Sequence, residues 1–129
     1  MENKKKIFLI DDDTFLLSMY SMKFEKSGFE VKCASDGVQA LNMLRQGYKP
    51  DILLIDLIMP VMDGFFMYET MKKEGLVNEA LSIMLTNQGT VSDINRAKEL
   101  GINGFIVKAT TIPSEVVEEV KTLLSKNNK

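Results

Sequence analysis

The stretch Asp51–Gly64, DILLIDLIMPVMDG, decides the fold. Ile52, Leu53, Leu54 and Ile55 run apolar without a break, the pattern of a central parallel strand buried on both faces. The strand is expected over Asp51–Ile55, with Asp56 directly after it. That puts a carboxylate at the carboxyl end of a core strand, where open α/β sheets bind their ligands. Pro60 biases Met59 toward an extended or turn conformation, and Asp63-Gly64 closes the loop and opens a helix.

Working outward, the same strand-then-helix alternation repeats on both sides. Lys6–Ile10 reads as a first buried strand, followed by three aspartates and a helix over Thr14–Ser27 with Leu16, Leu17, Tyr20 and Phe24 at helical spacing. Glu30–Ala34 is a second strand, and Asp36 can cap a helix carrying Val38, Leu41 and Leu44 that ends near Gly47. After the quoted stretch, Phe65, Tyr68 and Met71 mark a helix to about Glu74. Leu81–Leu85 is a fourth strand ending at Thr86, and Thr90 and Asp93 have the spacing of a capping box before a helix to Leu100. Phe105–Val107 is a fifth strand ending at Lys108, and Pro113 opens a last helix whose apolar stripe is Val116, Val117, Val120, Leu123 and Leu124. The polar tail after Leu124 is expected to fray. Short connections between alternating elements imply a three-layer, doubly wound α/β fold with a parallel sheet and right-handed crossovers. Alternation alone leaves the strand order open.

The totals narrow the function. A chain of 129 residues is most simply one domain, and 45% apolar with 26% charged is ordinary for a globular protein. The net charge of −2, with no basic block beyond Lys4-Lys5-Lys6, argues against direct nucleic-acid binding. No apolar run reaches membrane length, and Lys4–Ile10 is too short to be a signal peptide, so a cytoplasmic location is expected. Cys33 is the only cysteine, which precludes an internal disulfide and fits a reducing compartment. There is no histidine, so His-based zinc sites, catalytic triads and histidine phosphorylation are excluded for this chain by itself.

Four strand ends carry the chemistry. The first ends in Asp11, Asp12 and Asp13, the third in Asp56, the fourth in Thr86 and the fifth in Lys108. In a parallel sheet these ends share one edge, where like charges about 4 Å apart repel by roughly 4 kcal/mol at an effective dielectric near 20. A divalent cation relieves that. Mg²⁺ suits one or two carboxylates plus water and phosphate oxygens, and Mn²⁺ fits an oxygen-rich octahedral site too. A cation and a lysine around a carboxylate also neutralise an incoming phosphoryl group, and aspartyl phosphates are a recognised covalent intermediate. On this reading Asp56 is the nucleophile. Asp11, Asp12 and Asp56 hold the metal with the backbone carbonyl of Ile58, and Thr86 and Lys108 each meet a phosphoryl oxygen. Asp13 reads more plainly as a helix cap. Cys33 reads as a buried strand residue, and the methionines, among them Met59, Met62, Met67, Met71 and Met84, as core filling, with a soft surface at Met59 and Met62 as the other use.

The combination IDDD at Ile10–Asp13, DLIMPVMDG at Asp56–Gly64, LT at Leu85-Thr86 and GFIVK at Gly104–Lys108 resembles the response-regulator receiver domains of two-component signalling. The pieces keep the family's order and span Lys5 to about Leu124. The resemblance implies one receiver domain over residues 1–129 with a flavodoxin-like, five-stranded sheet in the order 2-1-3-4-5. It implies a phosphoryl group passed from the phosphohistidine of a histidine kinase or phosphotransfer protein to Asp56. It also implies a switch in which Thr86 moves toward the phosphoryl group and Phe105 turns inward, changing the surface of the fourth helix, fifth strand and fifth helix for a downstream protein. Monomer and phosphorylation-dependent dimer both fit, and so do a stand-alone receiver and one cut from a longer chain. Turnover beyond self-phosphorylation and slow autodephosphorylation is not expected. The alternative is a degenerate receiver, an interaction module that works without phosphorylation.

Three positions depart from the family pattern. Asn87 follows Thr86 where a small residue is usual, which narrows access. Ala109 follows Lys108 where proline in a cis peptide is usual. A cis bond before alanine costs about 2.5–4 kcal/mol, so a trans bond is expected. Ile58 cannot orient an attacking water with its side chain, which leaves Gln88 as the candidate and predicts slow loss of the phosphoryl group. Phe15 rules out the DxDx[TV] pattern of a phosphohydrolase, three aspartates after the first strand repel a flavin phosphate, and neither a Walker loop nor a Gly-rich dinucleotide fingerprint is present.

Overall fold

The computed structural model describes residues 4–77, 79–87, 89–108 and 111–127. Strands β1 (Lys6–Ile10), β2 (Glu30–Ala34), β3 (Ile52–Asp56), β4 (Leu81–Thr86) and β5 (Gly104–Val107) alternate with helices α1 (Thr14–Lys26), α2 (Gly37–Arg45), α3 (Gly64–Lys73), α4 (Val91–Glu99) and α5 (Pro113–Asn127). The strands form one parallel sheet in the order β2-β1-β3-β4-β5. This is the doubly wound, flavodoxin-like fold. The expected elements are all present, with strand bounds moved by one residue: β3 takes in Asp56, β4 takes in Thr86 and β5 starts at Gly104.

Local chemistry starts four of the helices at their expected places. The carboxylates of Asp13, Asp36 and Asp63 accept hydrogen bonds from the N–H of Leu16, Gln39 and Phe66, at 3.1, 2.8 and 2.9 Å. The Thr90 hydroxyl accepts from the Asp93 N–H at 3.0 Å. Each such cap satisfies a backbone donor that the first helical turn leaves open, worth about 1 kcal/mol.

Two apolar layers flank the sheet. One contains Phe8, Ile10, Leu53, Ile55 and Met84 under α2, α3 and α4. The other contains Ile7, Leu9, Ile52, Leu54, Leu85 and Ile106 under α1 and α5. β3 and β4 are buried along their whole length, β3 as its unbroken apolar run requires and β4 with Ser82 buried inside its otherwise apolar run. Met59, Met67, Met71 and Met84 are buried, consistent with core filling, while Met62 is half-buried. Val38 does not join the α2 stripe: it is half exposed, and Ala40, Leu41 and Leu44 make the buried face. Gly37, one residue earlier, is buried with that face, and Val38 lies a residue's turn to its side. Cys33 is half-buried because β2 is an edge strand. Among the described residues no helix is long and apolar enough to cross a membrane.

Candidate functional site

Strand register sets the candidate residues level with one another. Ile10 pairs with Ile55, Asp56 with Leu85, and Thr86 with Val107. Asp11, Asp56, Thr86 and Lys108 therefore stand along one rim of the sheet. Alternation sorts them by face. Asp11, Asp56 and Lys108 continue the rows of Leu9, Leu54 and Ile106, on the side of α1 and α5. Thr86 continues the row of Met84 on the opposite side, where Phe105 also lies.

The three charged residues meet. Lys108 Nζ lies 2.6 Å from Asp11 Oδ2 and 3.4 Å from Asp56 Oδ1, with all three side chains at most 7% exposed. Asp11 is held from behind, its Oδ1 accepting the Asp13 N–H at 2.9 Å. Asp11, Asp12 and Asp56 each offer an oxygen within 4.8 Å of the others. Burial, then the charge of Asp11, pushes the Asp56 carboxyl up from 3.8 to about 7; Lys108 opposes the rise, and a hydrogen bond with Asp12 adds to it. Burial works to lower Lys108, but its hydrogen bond to Asp11 and the surrounding carboxylates outweigh it and the ammonium is held above its ordinary range. Thr86 Oγ1 is fully buried and finds no hydrogen-bond partner among the described residues.

The loop after β3 is tied at its base. Gly64 donates its N–H to the Leu57 carbonyl at 2.7 Å. A Cβ on Gly64 would come 2.5 Å from the Asp56 carbonyl oxygen, so only glycine lets α3 start this close to the strand. Leu57 and Met59 are buried, whereas Ile58 and Val61 are exposed. Val61 has φ +71 and sits between Pro60 and Met62, whose C=O and N–H bond at 2.7 Å. That is a γ-turn with a β-branched residue at its strained centre. On the other face, the Phe105 ring lies half-buried over the loop before α4. A Cβ on Gly89 would come 3.0 Å from Phe105 Cε1 and from Val107 Cγ2.

A divalent cation suits this donor set. Three carboxylates face one ammonium, an arrangement that already forces Asp56 toward its protonated form. Hard oxygen donors on one open side favour Mg²⁺ or Mn²⁺ over softer metals.

Residues 7–121 match the family model of the response regulator receiver domain. The chain belongs to that family. The receiver domain is 31% identical over 129 residues to the probable transcriptional regulator ycf27 of Guillardia theta, covering 100% of this chain and 49% of that protein. It is 31% identical over 123 residues to the alkaline phosphatase synthesis transcriptional regulatory protein PhoP of Bacillus subtilis, covering 95% of this chain and 50% of that one. The receiver domain thus spans about half the length of the curated relatives it matches. Among solved structures, the chemotaxis protein CheY4 of Vibrio cholerae superposes with a TM-score of 0.86 at 25% identity, over 94% of this chain and 99% of that one. A CheY-like receiver domain of Methanospirillum hungatei does so with a TM-score of 0.86 at 25% identity, over 98% of each chain.

The structure brings together Asp11, Asp12, Asp56 and Lys108, and sets Thr86 at the same rim. Ile58 stands two residues beyond Asp56 with its side chain in solvent. Asn87 is exposed. Gln88 and Ala109, and with them the Lys108–Ala109 peptide, lie outside the described residues. Asp13 caps α1, its plainer reading. Sequence reasoning counted Tyr20 only as part of the α1 core stripe, and did not see that its buried phenol feels the charges of Lys108, Asp11 and Asp56. The signal was a phenol in an otherwise aliphatic and Phe stripe, one face of a helix that begins at the acid cluster.

Proposed function

We propose that this receiver domain accepts a phosphoryl group on Asp56 from the phosphohistidine of a histidine kinase or phosphotransfer protein. A carboxylate oxygen of Asp56 attacks phosphorus as the P–N bond breaks, and the electron pair stays on the departing imidazole. Lys108 pairs with one phosphoryl oxygen and the Thr86 hydroxyl donates to another. Asp11, Asp12 and Asp56, with the backbone carbonyl of Ile58, would hold Mg²⁺, which supplies positive charge to the transferring group. The observation that carries this reading is the meeting of Lys108 Nζ with both Asp11 and Asp56, at 2.6 and 3.4 Å, above a three-carboxylate cluster.

A bond from Thr86 to the phosphoryl group gives its orphaned hydroxyl a partner, and Thr86 shares a sheet face with Phe105. Movement of Thr86 would open space for the ring to leave Gly89 and turn inward, altering the surface of α4, β5 and α5 that a downstream protein reads. Phe105 has no hydroxyl, so packing alone sets its rotamer. With Ile58 unable to place a water, the phosphoryl group is expected to persist well beyond seconds, which following the decay of labelled protein would measure.

Beryllofluoride with Mg²⁺ tests the acceptor role. Amide spectra of the wild type should shift around Asp56 and along β5, and those of Asp56→Asn should not. No response from either protein would refute phosphoacceptance and leave a phosphorylation-independent interaction module.

A further inference from the structure

Asp11, Asp56 and Lys108 stand at the top of the rows that Leu9, Leu54 and Ile106 occupy lower down. Those three residues pack in one apolar cluster with Tyr20 of α1, which is 3% exposed and is the only hydroxyl-bearing side chain in that cluster among the described residues. α1 runs back from the site, with Asp13 as its cap. Side chains on a helix lean toward its N-terminus, so the long phenol of Tyr20 reaches toward the acid cluster rather than away from it. Its electrostatic surroundings agree: after burial, which raises the phenol, the strongest influence is the Lys108 ammonium, followed by Asp11, Asp56 and Asp13. The effect is mutual, since Tyr20 is among the groups acting on Lys108.

An ammonium has three N–H donors. Lys108 directs its shortest contact, 2.6 Å, at Asp11, and a longer one, 3.4 Å, at Asp56. Asp11 also belongs to the three-carboxylate cluster. A cation bound there would draw Asp11 away from Lys108 just when Lys108 must stay aimed at Asp56, and a fixed neutral oxygen within reach of the ammonium would remove that conflict.

We propose that the Tyr20 hydroxyl is a positioning group for Lys108, accepting a hydrogen bond from its ammonium when a divalent cation engages Asp11, and so holding the amine toward Asp56. The proposal rests on the reading of Asp56 as the phosphoacceptor and assigns α1 a part in the chemistry.

The test uses Tyr20→Phe, which keeps the ring, and Tyr20→Leu, which does not. The first readout is the Lys108 Nζ and Cε resonances in lysine-labelled protein, with and without Mg²⁺. They should coincide in wild type and Tyr20→Phe without Mg²⁺, where Asp11 holds the amine, and separate once Mg²⁺ is added. The second is labelling by acetyl phosphate at saturating Mg²⁺, which should slow about three- to tenfold in Tyr20→Phe, the range for one lost hydrogen bond. Its melting temperature should stay near that of the wild type. Lys108 resonances that coincide in both conditions would overturn the proposal. So would wild-type labelling in Tyr20→Phe with slowing only in Tyr20→Leu, since the ring would then act through packing alone. If the wild type takes no label, the phosphoacceptor reading fails, and the Lys108 resonances decide the Tyr20 contact by themselves.

Discussion

The two ends of β3 carry the same residue type in opposite circumstances. Asp51, just before the strand, accepts a hydrogen bond from the Lys6 N–H at 2.8 Å, while its own N–H and C=O bond to Lys6 and Leu81 at 2.9 Å each. It is half-buried and ties three strands together. Asp56, at the other end, is buried beside two more carboxylates and has one ammonium to share with Asp11. One aspartate is placed to hold the sheet and the other at a cost to it. The difference teaches that one rim is kept under a charge strain that the other avoids, a strain that a cation or phosphoryl group placed there would relieve.

The largest expected effect abolishes the strained end. Asp56→Asn should accept no phosphoryl group, read by intact mass after acetyl phosphate and Mg²⁺, yet be more stable than the wild type in metal-free buffer at pH 8. The sign follows from the raised carboxyl. With a folded value of about 7 against an ordinary 3.8, the native state holds its proton more tightly than the unfolded chain. Wild-type stability therefore falls as pH rises from about 4 to about 7 and stays low above that, by up to a few kcal/mol at roughly 1.4 kcal/mol per pH unit. Asp56→Asn should lack that slope, and Mg²⁺ at pH 8 should stabilise the wild type more than the variant. Equal melting temperatures for the two proteins at pH 5 and pH 8 would mean that Asp56 carries no such strain.

The comparison sharpens at the other end. Asp51→Ala should lower stability by about 1 kcal/mol through loss of its bond to Lys6. Phosphoryl acceptance should be unchanged, which chemical denaturation and labelling of the same preparation would check. The smallest effect belongs to the loop above the site. Val61→Asn should raise stability by up to about 1 kcal/mol, because asparagine tolerates positive φ better than a β-branched side chain. A variant less stable than the wild type would show that the turn carries no strain.

Much of this was legible in the residues because the relevant physics is local. An unbroken apolar run marked β3 and a nearly unbroken one β4, aspartates and a threonine marked the helix starts, and the polar residues that end four of the five strands marked the candidate site. What stayed hidden depends on contacts distant in sequence. The ion pair between Lys108 and Asp11 spans 97 positions, and it exists only because β5 and β1 flank the β3–β4 pair, an order that alternation cannot supply. Val38 has helical spacing to Leu41 yet stands half in solvent, since spacing alone did not show that the buried face is centred on Gly37, Ala40, Leu41 and Leu44. Tyr20 was placed correctly in the core, but periodicity counts a phenol as apolar surface and says nothing of where its oxygen ends up. The turn at Val61 was invisible because valine is among the residues least expected at positive φ.

The tie from Gly64 to Leu57 divides the labour inside eight consecutive residues. Leu57, Met59 and Gly64 are clamped into the body of the protein, whereas Ile58 and Val61 face outward, in the loop that follows Asp56. The outward pair can be exchanged during evolution, or by an engineer, without disturbing the floor beneath. What a visitor meets at this doorway can therefore vary while the clamp beneath it stays in place.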